Sequence, residues 1–192
     1  MENLKPEKKI RNYGLEWIES EELFKVTKKH FEKVYRRMEK PLDINNSKNA
    51  IDPFTAVFQI GGTPILDYES WVAAENSRQL IKTLQNAVGS WHQSVLGLAK
   101  GWQEKGASGG VFDIESTEPQ IGFGENPQTP KNVIIEVKNK FNTIKASDEH
   151  KTHSNLHNQA SSRTNTVAYL VQVVPKAQDR YNEAYSKVLP AA

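Results

Sequence analysis

Cysteine is absent from the 192-residue sequence, which excludes a disulfide framework and a thiolate zinc site. Any metal must therefore sit on oxygen or imidazole ligands, and hard oxygen ligands favour ions of the magnesium type. No apolar run approaches the roughly 18 residues that would span a bilayer, and the opening segment MENLKPEKKIRNYG has no apolar centre like that of a secretory signal. A cytosolic protein without a membrane partner is expected. Internal repeats and low-complexity tracts are also missing. The net charge of +2 is far below that of histone-like or tail-driven nucleic-acid binders.

Hydrophobic residues make up 37% and charged residues 25%, with four Trp, six Tyr and seven Phe, as in an ordinary globular protein. Such a length suits one domain. The expectation is a single domain over residues 1–192, mainly helical in 1–105, with a sheet and flanking helices in 106–192.

Charge is unevenly spread. Asp113, Glu115, Glu118 and Glu125 occur between Gly110 and Glu125 without a base, whereas six bases face only Asp148 and Glu149 between Lys138 and Lys176. An acidic point beside a basic surface is what a metal site next to a phosphate track needs, and a chance fluctuation in charge is the plainer alternative.

Periodicity predicts a helix from Ser20 to Lys40, with Ser20 as its cap and Phe24, Phe31, Val34, Tyr35 and Met38 at helical spacing. Its basic face, with Lys28, Lys29, Lys33, Arg36 and Arg37, reads as solvated, with DNA contact as the minority reading. PFTAVFQIG reads as a strand or a buried turn, and the pattern does not decide between them. From Asp67 to Trp102 helix formers dominate, with Gly89 as a possible kink.

GASGG then closes the helical half. VFDIES alternates as a strand, GFGENPQTPKN marks a long turn, and VIIEVK is rich in β-branched residues, so the two strands predict a hairpin. Ser147 to Ser161 reads as a short polar helix or exposed loop, TVAYLVQVVP as a central strand buried on both faces, and Lys176 to Leu189 as a last amphipathic helix. The order predicts an α/β class fold, a mixed sheet with helices on both faces.

Period two places Ile134, Glu136 and Lys138 on one face of their strand, so a carboxylate and an ammonium lie side by side. Asp113 can bring a second carboxylate next to Glu136 across the hairpin. Such a pair suits Mg²⁺, helped by the main-chain carbonyl of Val137, with Glu115 as fallback ligand. Lys138 would position a water and offset charge at phosphorus. The bland alternative is a cross-strand ion pair worth about 0.2 to 1 kcal/mol. Glu69 or Glu75 could assist a second ion. Asn139, Lys140, Asn142, Thr143 and Lys145 follow the strand and suit contacts to bases and phosphates. His150, His153 and His157 share helical spacing but read as a polar segment beside DNA rather than a zinc site, and Trp91 and His92 as packing residues.

The run IIEVKNKFNTIKASDEH resembles the core of the GGNCC-cleaving type II restriction endonucleases named for Eco forty-seven II, in which an E-x-K-N-K-x-N-T block follows the catalytic strand. QNAVGSWHQSVLGLAKGW is similar to that family's helical segment and GGVFDIES to its aspartate-bearing strand. The resemblance covers roughly residues 65 to 175. It implies a PD-(D/E)xK restriction-endonuclease-like core, Mg²⁺, a homodimer, and double-stranded DNA cut at a short, nearly palindromic G/C-bordered site. By position it assigns Asp113, Glu136 and Lys138 to catalysis, with Phe112 standing where the motif name has proline. Relatives are expected to run longer. A repair or structure-selective nuclease, and a DNA-binding module without cleavage, are the competing expectations.

Overall fold

The structure is a computed structural model that describes residues 12–40, 51–62, 67–105, 110–141 and 144–175, without the side chain of Ala146. The expected C-terminal helix, and Asn142 and Thr143, lie outside these residues. The chain forms two compact units, residues 1–27 with 89–192 and residues 28–88. Its helices are α1 (Ser20–Met38), α2 (Pro53–Gly62), α3 (Tyr68–Gly97) and α4 (Ala146–Ser161), and its strands β1 (Trp102–Glu104), β2 (Ile114–Ser116), β3 (Asn132–Lys140) and β4 (Thr166–Val174).

The first unit carries the sheet, in the order β1-β2-β3-β4. β1, β2 and β3 pair antiparallel, and β4 runs parallel to β3 after the α4 crossover. This is the predicted hairpin inside the predicted mixed α/β class. A parallel neighbour requires a crossover connection, and α4 supplies it. β1 was not read from its three residues. β4 departs from the central, doubly buried strand expected: among the described residues it is the last strand of the sheet and only half-buried. Its apolar run reflects packing against Phe112, Ile134 and Leu156, to which Ala168 and Leu170 contribute.

Alternation along β3 divides the core. Ile134, 2% exposed, meets Phe112 and Leu156 of α4, whereas buried Val133 and Val137 point to the other face. Ile134→Ala should cost about 2–5 kcal/mol through lost burial and a residual cavity. It would appear as a lower urea midpoint at unchanged slope. At the end of α3 a Cβ on Gly97 would lie 2.7 Å from the Glu104 amide nitrogen, so only glycine lets the helix approach β1 this closely. The long β2–β3 turn is anchored by Phe123, whose ring lies edge-on to both Trp102 and Tyr169, and by the Gly124 N–H donating to the Tyr169 hydroxyl.

The second unit is helical, with buried His30, Val34, Trp71 and Gln79. Arg37 donates to Asn76 and the Trp71 indole to Gln59. The undecided PFTAVFQIG forms α2. Asp52 accepts hydrogen bonds from the Phe54 amide and the Thr55 hydroxyl, and Pro53 occupies the first helical position, where a missing N–H costs nothing. Asp67 caps α3 by accepting from the Ser70 amide, and α3 runs unbroken through Gly89. Ser20 does not cap α1 as expected: it opens the helix, and its hydroxyl turns back to accept from the Tyr13 amide. Among the described residues, no helix is long and apolar enough to cross a membrane.

Candidate active site

Asp113 lies one residue before β2, and its backbone is fixed from both sides. Its amide donates to the Ile135 carbonyl at 2.9 Å, and its own carbonyl accepts from Lys105 at 2.8 Å. This antiparallel register sets Asp113 opposite Glu136. The Asp113 Oδ2 then accepts the Val137 N–H at 2.8 Å, so the carboxylate sits against the peptide that follows Glu136. On β3 the Lys138 ammonium donates to Glu136 Oε1 at 2.5 Å, with the two side chains 28% and 15% exposed.

Two carboxylates and one ammonium therefore meet on the face of β3 that carries Ile134. Burial pushes the Glu136 carboxyl above its ordinary value, and the nearby Asp113 adds to the rise while Lys138 opposes it. The two carboxyl groups meet one ammonium among the described residues, that of Lys138. Among the described residues, no group of three or more His, Asp and Glu side chains is arranged to hold a metal. Mg²⁺ keeps several waters and commonly takes one or two carboxylates from the protein, so Asp113 and Glu136 fit it, whereas a caged ion would need more.

Glu115 shares this face but is already engaged. It accepts from Lys105 at 2.7 Å, Arg163 at 3.2 Å and Gln103 at 2.6 Å. Burial alone would raise its carboxyl, and these bonds outweigh burial and hold it low. The Arg163 guanidinium also lies 4.8 Å from the centre of the Phe112 ring, beside Asp113 in sequence. Gln103, Glu115, Asn132, Arg163 and Thr166 line a cleft of about 570 Å³ that does not include Asp113, Glu136 or Lys138. Lys105 and Arg163 were not found from the sequence, because nothing in their local pattern ties them to Glu115.

Asn139 follows Lys138 and so points to the opposite face of β3. There it bonds His92 of α3, whose ring lies 5.0 Å from that of Trp91. Burial lowers the His92 pKa against the opposing bond to Asn139. Its Nδ1 is buried without a hydrogen-bond partner among the described residues. The packing expected of His92 is thus accompanied by a specific bond to the end of the Lys138 strand. Lys140 and Lys145 are exposed.

The remaining candidates are dispersed. Glu75, in the second unit, pairs with Arg78 at 2.6 Å, and Glu69 is exposed. On α4, His150 and His157 each lie 3.4 Å from a serine hydroxyl one turn on, Ser154 and Ser161.

A family profile described as Eco47II restriction endonuclease matches residues 15–188. The chain is 31% identical over 176 residues to the type II restriction enzyme Eco47II of Escherichia coli, covering 90% of this chain and 67% of that protein. It is 27% identical over 170 residues to the type II restriction enzyme Sau96I of Staphylococcus aureus, covering 86% and 58% respectively. No solved structure is significantly similar.

Proposed function

The chain belongs to the Eco47II restriction endonuclease family, and from that premise we propose that it is a type II site-specific deoxyribonuclease, hydrolysing phosphodiester bonds of double-stranded DNA with Mg²⁺. The observation that carries the chemistry is the meeting of Asp113, Glu136 and Lys138, two acids and one base at a partly buried point. A cross-strand ion pair would need one acid and one base. A second, unbalanced carboxylate is costly in a partly buried place unless a cation arrives.

Asp113, Glu136 and the main-chain carbonyl of Val137 would hold Mg²⁺. Bound there, the ion supplies Lewis acidity and offsets charge at the scissile phosphate. The protein's own share begins with the Asp113 bond to the Val137 amide, which fixes one carboxylate before DNA arrives. Lys138 is held at the same point by Glu136, so its ammonium is available to orient the attacking water and to donate to a phosphate oxygen as negative charge grows. Glu115 belongs to the neighbouring ion-pair cluster in this scheme and supports the β1–β2 pairing.

Lys140, Asn142, Thr143 and Lys145 are the proposed DNA contacts, which Asn139 can join once it releases His92. The target is a short, near-palindromic, G/C-bordered site of the GGNCC kind, read by a homodimer whose two-fold axis coincides with that of the DNA. We place this activity in the cytoplasm and in one nuclease domain over residues 1–192.

Incubation of phage or plasmid DNA with the protein, in Mg²⁺ and in EDTA, tests the proposal. A few discrete, reproducible fragments in Mg²⁺ and intact DNA in EDTA are expected. DNA that is bound yet stays intact with every divalent ion would overturn it in favour of a binding module, and nicking confined to branched DNA would favour a structure-selective nuclease.

A further inference from the structure

Helix α2 is built inside out. Ala56 and Ile60 are half-buried, while Phe54, Val57 and Phe58, spaced three and four apart on one face, are 74%, 68% and 76% exposed. No residue from Pro53 to Gly62 is charged. The helix is nonetheless well held: Asp52 caps its start, and Gln59 accepts a hydrogen bond from the buried Trp71 at 2.8 Å. The apolar face is therefore preformed and, among the described residues, exposed.

We propose that this face of α2 is the docking surface for a second copy of the chain, α2 against α2. The proposal rests on the two-copy reading above and assigns it a surface. Its size fits. With about 200 Å² for an exposed phenylalanine and somewhat less for valine, the three side chains present about 400 Å² of apolar area. A standard interface buries about 800 Å² per partner, a little over half of it apolar, so a self-apposed α2 supplies about the apolar share required. The absence of charge points to the same occupant. A two-fold interface sets the patch against its own copy, so an uncharged apolar face meets an equally uncharged apolar face and no charge is desolvated without a partner. A strongly acidic or basic partner would find nothing on α2 to pair with. Two such helices crossing antiparallel also bring opposite helix-dipole ends together.

Since the chain has no cysteine, Val57→Cys introduces a unique thiol at the centre of the patch. A short bis-maleimide should then link at least about half of the protein into dimers, against a few per cent for Lys151→Cys on α4. In sedimentation without DNA, Phe54→Ser with Phe58→Ser should weaken self-association at least about 100-fold. Both side chains are solvent-exposed, and an unchanged circular dichroism spectrum would show that the fold survives. A dimer that resists the double substitution and does not cross-link through Val57→Cys would overturn the surface while leaving the two-copy reading intact. A chain that sediments as a monomer at about 50 μM, a concentration well above that expected for a standard-size interface, would overturn both. The nuclease proposal is read separately, from fragments of cleaved DNA.

Discussion

Glu136→Gln should abolish DNA cleavage, lowering the rate at least about 10³-fold in Mg²⁺, and at the same time raise the melting temperature of the protein in EDTA. The two effects share one cause. Gln keeps the volume and partial burial of Glu136 but removes a partly buried carboxyl group that lies close to Asp113 and, among the described residues, is countered by Lys138 alone. A carboxyl whose folded pKa is raised favours its neutral form, so its contribution to stability is fully present below the ordinary carboxylate range and is lost as pH rises through the raised value. The gain from Gln should accordingly be greatest near neutral pH and vanish in acid. Cleavage assays paired with thermal melts at pH 4 and pH 7.5 check it. A variant that still cuts at a tenth of the wild-type rate would remove Glu136 from the reaction, and one that melts lower in EDTA at neutral pH would mean that its pairing with Lys138 outweighs its burial and its repulsion by Asp113.

A gain in stability on Glu136→Gln would mark a site kept for function, because removing one partner of a partly buried ion pair kept for the fold lowers stability. Glu115 provides the contrast within the same sheet. It is also partly buried, but Lys105 and Arg163 hold its carboxyl low, so it contributes to stability at neutral pH. Two acids on one face of the sheet, Glu115 on β2 and Glu136 on β3, thus have carboxyls shifted in opposite directions, and the raised one is the one placed beside Asp113.

The parts of this arrangement legible in the sequence are those set by local periodicity. Alternation put Glu136 and Lys138 side by side, and a Gly, Pro and Asn-rich turn between two alternating runs implied the hairpin that brings Asp113 across. What periodicity does not carry is the identity of neighbours far along the chain. Arg163 reaches Glu115 across 48 residues, and His92 reaches Asn139 from a different element. No spacing rule encodes either contact. The same limit explains β4: an unbroken apolar run reports that a strand packs well, but not whether another strand lies beyond it. α2 was undecided because its apolar residues fit no single period, and the decisive signals, Asp52 as cap and Pro53 at the first position, lie at its very start.

Lys138→Met provides the complementary test, with the opposite outcome for stability. Cleavage should fall about 10²–10³-fold, the usual cost of removing one group that stabilises charge in the transition state. The melting temperature in EDTA should fall as well, because Asp113 and Glu136 would then face each other without a cation. Removing the second charge should reverse this loss, so the double variant Glu136→Gln, Lys138→Met should melt above Lys138→Met alone, a non-additivity expected of groups in direct contact. Specific DNA binding in Ca²⁺ should survive in Lys138→Met, since its role begins after the complex forms. If Lys138 serves only as a cross-strand partner of Glu136, its loss will lower the melting temperature while leaving cleavage within a few-fold of wild type. A parallel loss of binding and cutting would instead make Lys138 a DNA contact. Cleavage, binding and melting curves on the two single variants and their combination therefore assign Lys138 to chemistry, to DNA binding or to structure.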